Sequence, residues 1–526
     1  MPERKTAEGL LMMLAVNFVL AMLPILWLMV ALSVLKMPGF KACGIAAVIA
    51  MILALVYWRL PVPLVGAAAL EGALNALWPI CMVIIAALFT YNLTIETGAM
   101  EGIKAMLSGV STDGRILMLI IAWGFGNFME GMAGFGTAVA IPAGILVALG
   151  FDPIKTVVAC LVVNSMPTAF GSVGVPTETL GAVTGLDAGM LASNVVVIEA
   201  LLFLISPFLM VMIFGGGIKA MKGVWGITLV AALSFVVPMF LVGYFIGPQL
   251  PDTLGSVCCL ICTILYAKKV QKGEPPKEYV TDAAAHSSTG SLTLGTALKD
   301  WSPFILILLL LLVTTMVPAI HDPLSSIKTV AHIYPAEGAG ALTFAWVNTP
   351  GVIILAAACI GGFIQGANPL TIGKVLGKTL KSNWKTVFTI CCVVATAKIM
   401  DHSGMTRDIS ALLVCTGSFF PLVSPLIGVL GAFITGSGTS TNVLFGGMQA
   451  MTAEGIGLNP AWLGAANAMG AGIGKMISPQ CIAIGLAAVS MAGKESEILK
   501  HVTRYCVLYT VIGGLVCYFL PILGIA

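Results

Sequence analysis

The stretch Gly436-Ser-Gly-Thr-Ser-Thr-Asn442 decides how this sequence is read. It sets five polar side chains together inside Ile409–Ala453, a run of 45 residues without one charged side chain. Crossing a bilayer core takes about 20 apolar residues, so a run of this length holds more than one pass. The polar heptapeptide then sits at membrane depth. Its glycines let the backbone leave helical geometry, and each N–H or C=O left unpaired in hydrocarbon costs several kcal/mol. Such a break persists only where it lines a cavity or binds something.

The break has a counterpart. Gly134-Phe-Gly-Thr137 opens another apolar stretch 302 residues earlier. Downstream, Asp152-Pro153 is echoed by Asn459-Pro460, and Asn164-Ser-Met166 with Gly171 and Pro176 by Asn467-Ala-Met469 with Gly474 and Pro479. Several matches in one order, at offsets of 302 to 307, indicate a duplicated half. Each unit reads as a helix, a Gly-x-Gly-Thr break, a second helix, and then an interrupted helix bearing Asn and Pro. Paired Gly/Pro breaks in two halves point to a transporter's midplane site. The alternative is close helix packing through small residues. It suits Gly215-Gly-Gly217, and the many scattered glycines among the 59, better than it suits 436–442.

Composition fixes the solvent. Charged residues are 9% of the 526, against about 25% in soluble chains, and mean hydropathy is +1.03. So little charge cannot keep a chain this long dispersed in water. A net charge of +3 without a basic run excludes nucleic-acid binding. Most of the 13 cysteines lie in apolar runs, and Cys259-Leu-Ile-Cys262 has no partner pair or nearby His, so neither disulfides, redox chemistry nor a metal is expected.

Uncharged runs of membrane length recur along the whole chain, at 10–35, 42–58, 131–151, 156–177, 223–251, 302–320, 351–373, 455–474, 476–493 and 505–526. They predict an all-α polytopic membrane protein of about 12 spans with re-entrant or broken helices in two repeat-related halves. The halves are 1–267, with its repeat unit around 98–177, and 301–526, with its unit around 404–480. The polar stretch 268–300 between them reads as a linker. Lys219 and Lys222, the linker, and Lys374, Lys378, Lys381 and Lys385 can share one face, which the positive-inside rule makes cytoplasmic. The lysines of 371–385 are spaced as on an amphipathic helix at the interface.

The breaks suit an anion. Backbone N–H groups freed at Gly134, Gly136 and Gly438, and the positive ends of half-helices, favour negative charge. Thr137, Asn164, Ser437, Thr439, Ser440, Thr441, Asn442 and Asn467 add short donors, and Lys475 is an isolated cation between two uncharged runs. A small carboxylate that also carries a hydroxyl fits this set. Gly472-Ile-Gly474-Lys475 lacks the remaining phosphate-loop positions, so no nucleotide-driven pump is indicated. An anion entering a negative interior opposes about 2.3 kcal/mol per 100 mV, which one co-transported H⁺ cancels. The acids near the breaks that could carry it are Glu130, Asp401 with His402, and Glu199. Their plainer readings are a helix end at the interface, a solvated loop with Lys398 and Arg407, and a hydrogen-bonded core acid. Glu71 and Glu96 read as interfacial. The five His are dispersed, with no catalytic or metal-like grouping, so no enzyme activity and no cofactor are expected.

Three motifs carry a family resemblance. They are Glu130-Gly-Met-Ala-Gly-Phe-Gly-Thr-Ala-Val-Ala-Ile-Pro142, Gly436-Ser-Gly-Thr-Ser-Thr-Asn442 and Gly470-Ala-Gly-Ile-Gly-Lys-Met-Ile-Ser-Pro479. Together they resemble the L-lactate permease family of prokaryotic plasma-membrane carriers, and similarity in length, spans and central polar loop covers essentially the whole chain. The resemblance implies uptake of 2-hydroxymonocarboxylates (L-lactate, with D-lactate or glycolate) in symport with H⁺. It also implies an inverted repeat with re-entrant segments. A Na⁺-coupled or exchange carrier for another small carboxylate would share the broken helices.

Overall fold

The computed structural model describes residues 2–35, 37–134, 136–270, 275–280, 294–335, 341–491 and 493–525. Phe135, and the parts 271–274 and 281–293 of the polar linker, lie outside the described residues. The chain is an all-α polytopic membrane protein. Among the described residues, seven helices are long and apolar enough to cross a membrane: Met13–Leu32, Gly39–Val56, Val62–Glu96, Ala188–Gly215, Trp225–Phe245, Gly417–Thr435 and Glu495–Ile522. Four bent pairs bring the count to as many as 11, against about 12 expected. The pairs are Pro153–Asn164 with Met166–Thr184, Ser302–Met316 with Pro318–Ser326, Pro369–Ser403 with Met405–Val414, and Pro460–Lys475 with Pro479–Ala488.

Each long helix sorts its side chains by solvent. On Trp225–Phe245, Leu229, Leu233, Val237 and Leu241 form an exposed row at four-residue spacing, while Ala231, Phe235 and Met239 are buried. An outward apolar row of this kind is stable against lipid and not against water.

Bends fall where the sequence removes a hydrogen bond or frees φ. Proline opens the second arm at Pro318 and Pro479, and Gly404 adopts φ +88° between Pro369–Ser403 and Met405–Val414. The runs 455–474 and 476–493 therefore form one unit bent by 44°. The 45-residue run divides into Phe420–Thr435 and Gly438–Gly455, with Gly436 at φ +67° between them. The lysines of 371–385 lie on the first half of the 35-residue helix Pro369–Ser403, continuous with its membrane part. At the far end of the preceding helix, Pro350–Gln365, lies an antiparallel strand pair, Lys328–Ala331 with Leu342–Ala345. The lysines and the strands thus mark opposite faces.

One of the matched sequence pairs has the same local structure in both places. Asp152-Pro153 and Asn459-Pro460 both start a helix, the Asp or Asn side chain accepting a first-turn N–H and the Pro filling a position that needs no donor. Small residues let the second-half helices approach. A side chain at Gly428 would collide with backbone at Asn467 and Ala471 of Pro460–Lys475. Between these helices runs a fully buried amide chain. Ser424 Oγ donates to Gln449 Oε1, Gln449 Nε2 to Asn467 Oδ1 at 3.0 Å, Asn467 Nδ2 to Asn442 Oδ1 at 3.0 Å, and Asn442 Nδ2 to the Pro176 carbonyl at 3.0 Å. It ties three second-half helices to a break in the first half. Asn467→Ala cuts it in the middle and leaves a buried acceptor unpaired, at a cost of about 1 kcal/mol or more. The thermal midpoint of the detergent-solubilised protein should fall, and an unchanged midpoint would show that the chain adds no stability.

Candidate functional site

Helix Gly126–Met132 ends two residues after Glu130, and the backbone then passes through Gly134 at φ +61° and Gly136 at φ +85° before helix Thr137–Ala148 begins. The corresponding turn in the other half uses Gly436 at φ +67°, ahead of helix Gly438–Gly455. A second break in the first half is more strained. Ser172, Val173 and Gly174 hold φ of +46°, +58° and +77° in succession. A β-branched residue in the left-handed region is a rare, costly conformation. It is held by Ser172 Oγ donating to the Ala133 carbonyl (2.9 Å), Thr177 Oγ1 donating to Ala169 O (2.7 Å), and the Asn442 amide on Pro176.

The breaks face each other across the halves. A side chain on Gly136 would meet Ile484 of Pro479–Ala488, and one on Gly438 would meet Thr168 beside the first-half kink. Where they meet, Lys475 Nζ donates to Glu130 Oε1 at 2.7 Å. Glu130 is 2% exposed and Lys475 8%. Lys475 is the last residue of its helix, where the dipole favours a cation. Gly171 makes room for the pair, since a Cβ there would stand 2.7 Å from Glu130 Oε1. Among the described residues, Glu130 Oε2 has no hydrogen-bond partner, nor does the nearby Ser478 Oγ.

Both residues form part of the wall of a cavity of about 1070 Å³. Its mouth carries the exposed Lys385 and Glu495, on the lysine-bearing face. Its inner wall offers Thr168, Ser172, Ser437, Thr439, Ser440 and Gln480. Two helices, Gly438–Gly455 and Pro479–Ala488, begin on it, and their first N–H groups lack intrahelical partners. Hydroxyls, an amide, two positive helix ends and a lysine, beside one carboxylate, suit a small anion with a further polar group.

Of the residues marked in the sequence, Glu130, Gly134, Gly136, Ser437, Gly438, Thr439, Ser440 and Lys475 come together on this wall. The rest do not reach it. Thr137 Oγ1 donates to Gly134 O and Thr441 Oγ1 to Ser437 O, each steadying its break. Asn442 and Asn467 belong to the amide chain, and the Asn164 Nδ2 is buried without a partner. Glu199 is fully buried on Ala188–Gly215 with both oxygens unpartnered. Asp401 and His402 lie on the helical end of Pro369–Ser403. There His402 Nε2 and Lys398 Nζ meet Glu71 at 2.9 and 3.2 Å, and Tyr334 stacks on the His402 ring at 3.7 Å. Glu71, read as interfacial, is thus the buried anchor of that cluster.

Residues 17–524 match the L-lactate permease family. The chain belongs to it. It is 41% identical to the L-lactate permease of Streptococcus iniae over 85% of this chain and 93% of that protein. It is 35% identical to the L-lactate permease of Escherichia coli K12 over 94% of each. The glycolate permease GlcA of the same strain is 33% identical over 96% of this chain and 95% of that protein. With its apolar helices, family membership makes the chain a multi-pass permease of the plasma membrane. The family motifs at 130–142, 436–442 and 470–479 are the segments that build the cavity's inner wall.

The sequence alone does not mark Thr168, Ser172 or Gln480, although the 303-residue offset that pairs Asn164 with Asn467 also pairs Ser172 with Lys475. The ion pair makes a prediction about stability. Lys475→Met leaves Glu130 as a lone buried charge, at about 3–5 kcal/mol, whereas Glu130→Gln with Lys475→Met removes both charges and relieves most of it. Thermal unfolding of the two variants should rank the double above the single. The reverse order would mean that the two side chains are not paired in the folded protein.

Proposed function

We propose that this permease carries L-lactate, with D-lactate and glycolate as related substrates, into the cell together with H⁺. The observation that carries the reading is the buried Glu130–Lys475 pair, 2.7 Å apart in the wall of a cavity that readily admits a small anion. Lys475 is the natural partner for a substrate carboxylate, but Glu130 already occupies it. A proton on Glu130 cancels its charge and releases the ammonium, so anion and proton are taken together. Thr439, Ser440 and the amide ends of the two half-helices then bind the carboxylate, and the 2-hydroxyl finds acceptors among Ser437, Thr168 and Gln480. Names carried by the relatives, L-lactate permease and glycolate permease, support the substrate class.

Access to the other face has a physical basis in the kink. Ser172 and Pro176 line the large cavity, while Val173 and Val175 line a second of about 230 Å³ with Trp78, Gln249 and Asn348, on the face of the strand pair. A thin strained segment separates the two, and its rearrangement with the halves 1–267 and 301–526 would open the path alternately. The lysine-bearing face, with the linker 268–300, is cytoplasmic in this reading.

Na⁺ coupling is less well supported, because the carboxylate on the cavity wall stands against an ammonium that would repel a second cation. In proteoliposomes, lactate addition should alkalinise the outside; uptake that follows Na⁺ would refute the proton reading. Lys475→Ala should lower uptake about tenfold or more and Thr439→Ala severalfold, as expected for losing a charged or a neutral hydrogen bond. Both variants at wild-type rates, with normal membrane insertion, would sink the site.

A further inference from the structure

One carboxyl beside the pair has no role in the account above. Asp252 is the second residue of helix Pro251–Lys269, outside the cavity wall, and 1% exposed. Among the described residues, neither of its oxygens has a hydrogen-bond partner. Its Oδ2 stands 3.1 Å from where a side chain on Gly131 would begin, so the glycine after Glu130 is what gives the carboxyl its space. The charged groups that face it are Glu130 from Gly126–Met132, Lys475 from Pro460–Lys475 and Glu199 from Ala188–Gly215. Helix Gly171–Thr184 carries Glu178, in the wall of the smaller cavity, and the neighbouring Trp225–Phe245 carries only Tyr244, which is exposed.

The same chain segment reaches the other cavity. Three residues before Asp252, Gln249 Nε2 donates to Glu178 Oε1 at 3.3 Å, and both line the smaller cavity. Pro248 O abuts Gly174 of the kink. A carboxyl in the wall of each cavity, Glu178 and Glu130, is therefore linked by a segment bearing a third that is sealed from both. A charged carboxylate without any hydrogen bond is too costly to stand at this depth, whereas the neutral acid is tolerated and can pass its proton on.

We propose that Asp252 is the relay carboxyl that loads the proton onto Glu130. This rests on the proton-symport reading. When the substrate anion takes Lys475, Asp252 gives its proton to the Glu130 carboxylate. Asp252 is reprotonated from the side of Glu178 and the smaller cavity, and Glu130 gives up its proton to the larger cavity as lactate leaves and Lys475 pairs with it again. One proton enters per cycle and no group keeps a net change.

The test compares wild type, Asp252→Asn and Asp252→Glu in proteoliposomes, each checked for insertion. It reads lactate-driven alkalinisation, uphill uptake, and exchange of internal for external lactate, which needs no net proton movement. Asp252→Asn should lose alkalinisation and uphill uptake by about tenfold or more while keeping exchange, and Asp252→Glu should restore part of the coupling. Asp252→Asn with wild-type alkalinisation would overturn the relay. So would loss of exchange in parallel with uptake, in both variants, since that marks a structural role. If wild type itself moves lactate without protons, the symport reading fails instead.

Discussion

An ammonium and a carboxylate can stand together at membrane depth only because each cancels the other's charge, and the fold around Glu130 and Lys475 is arranged to keep that true. Either charge alone would cost several kcal/mol, so the two helices that carry them, from opposite halves of the chain, cannot separate without supplying a replacement. Gly171 exists as glycine because the Glu130 carboxyl fills the space a side chain would need. The end of helix Pro460–Lys475 falls where its dipole supports the cation. A break in one half is thereby held in register with a break in the other. The cavity between them follows from that contact, not from either half alone.

The broken backbone is the second element of the same design. Ser172, Val173 and Gly174 occupy a conformation that no isolated helix would adopt, and it is stabilised from outside by Ser172 on Ala133 and by Asn442 on Pro176. Asn442 is itself held by Asn467, and Asn467 by Gln449. A strained segment held in part by a hydrogen bond from the opposite half, Asn442 to Pro176, is sensitive to how the halves sit. That coupling is what a carrier needs at the wall between two cavities.

The all-helical membrane fold and the place of the breaks were legible because both are written in local patterns, uncharged runs and Gly-x-Gly-Thr. Glu130 and Lys475 were legible for a related reason, since an ionisable group in an apolar run is conspicuous. Their pairing was not, because 345 residues separate them and no local rule relates them. The same limit misplaced Asn442 and Asn467. Polar residues in an apolar run signal that a partner exists, but the sequence does not say whether it is a ligand or another amide. Asp252 escaped notice because Pro251-Asp252-Thr253 looks like an ordinary helix start, and Glu71 because its partners Lys398 and His402 lie on a distant helix.

For the proposed symport, charge conservation gives the reason a small anion and a proton would share one site. The empty site is neutral, with Lys475 positive and Glu130 negative. An anion alone would take Lys475 and leave Glu130 as an unpaired buried charge; a proton alone would leave Lys475 unpaired. Each half-loaded state therefore carries a net buried charge and is disfavoured by several kcal/mol, while the empty and fully loaded states are both neutral. The rearrangement at the kink needs no charge recognition of its own. In the proposed symport, movement of the halves would proceed from the two neutral states in preference to the charged ones, so the proposed coupling rests on the cost of an isolated charge in a low-dielectric wall.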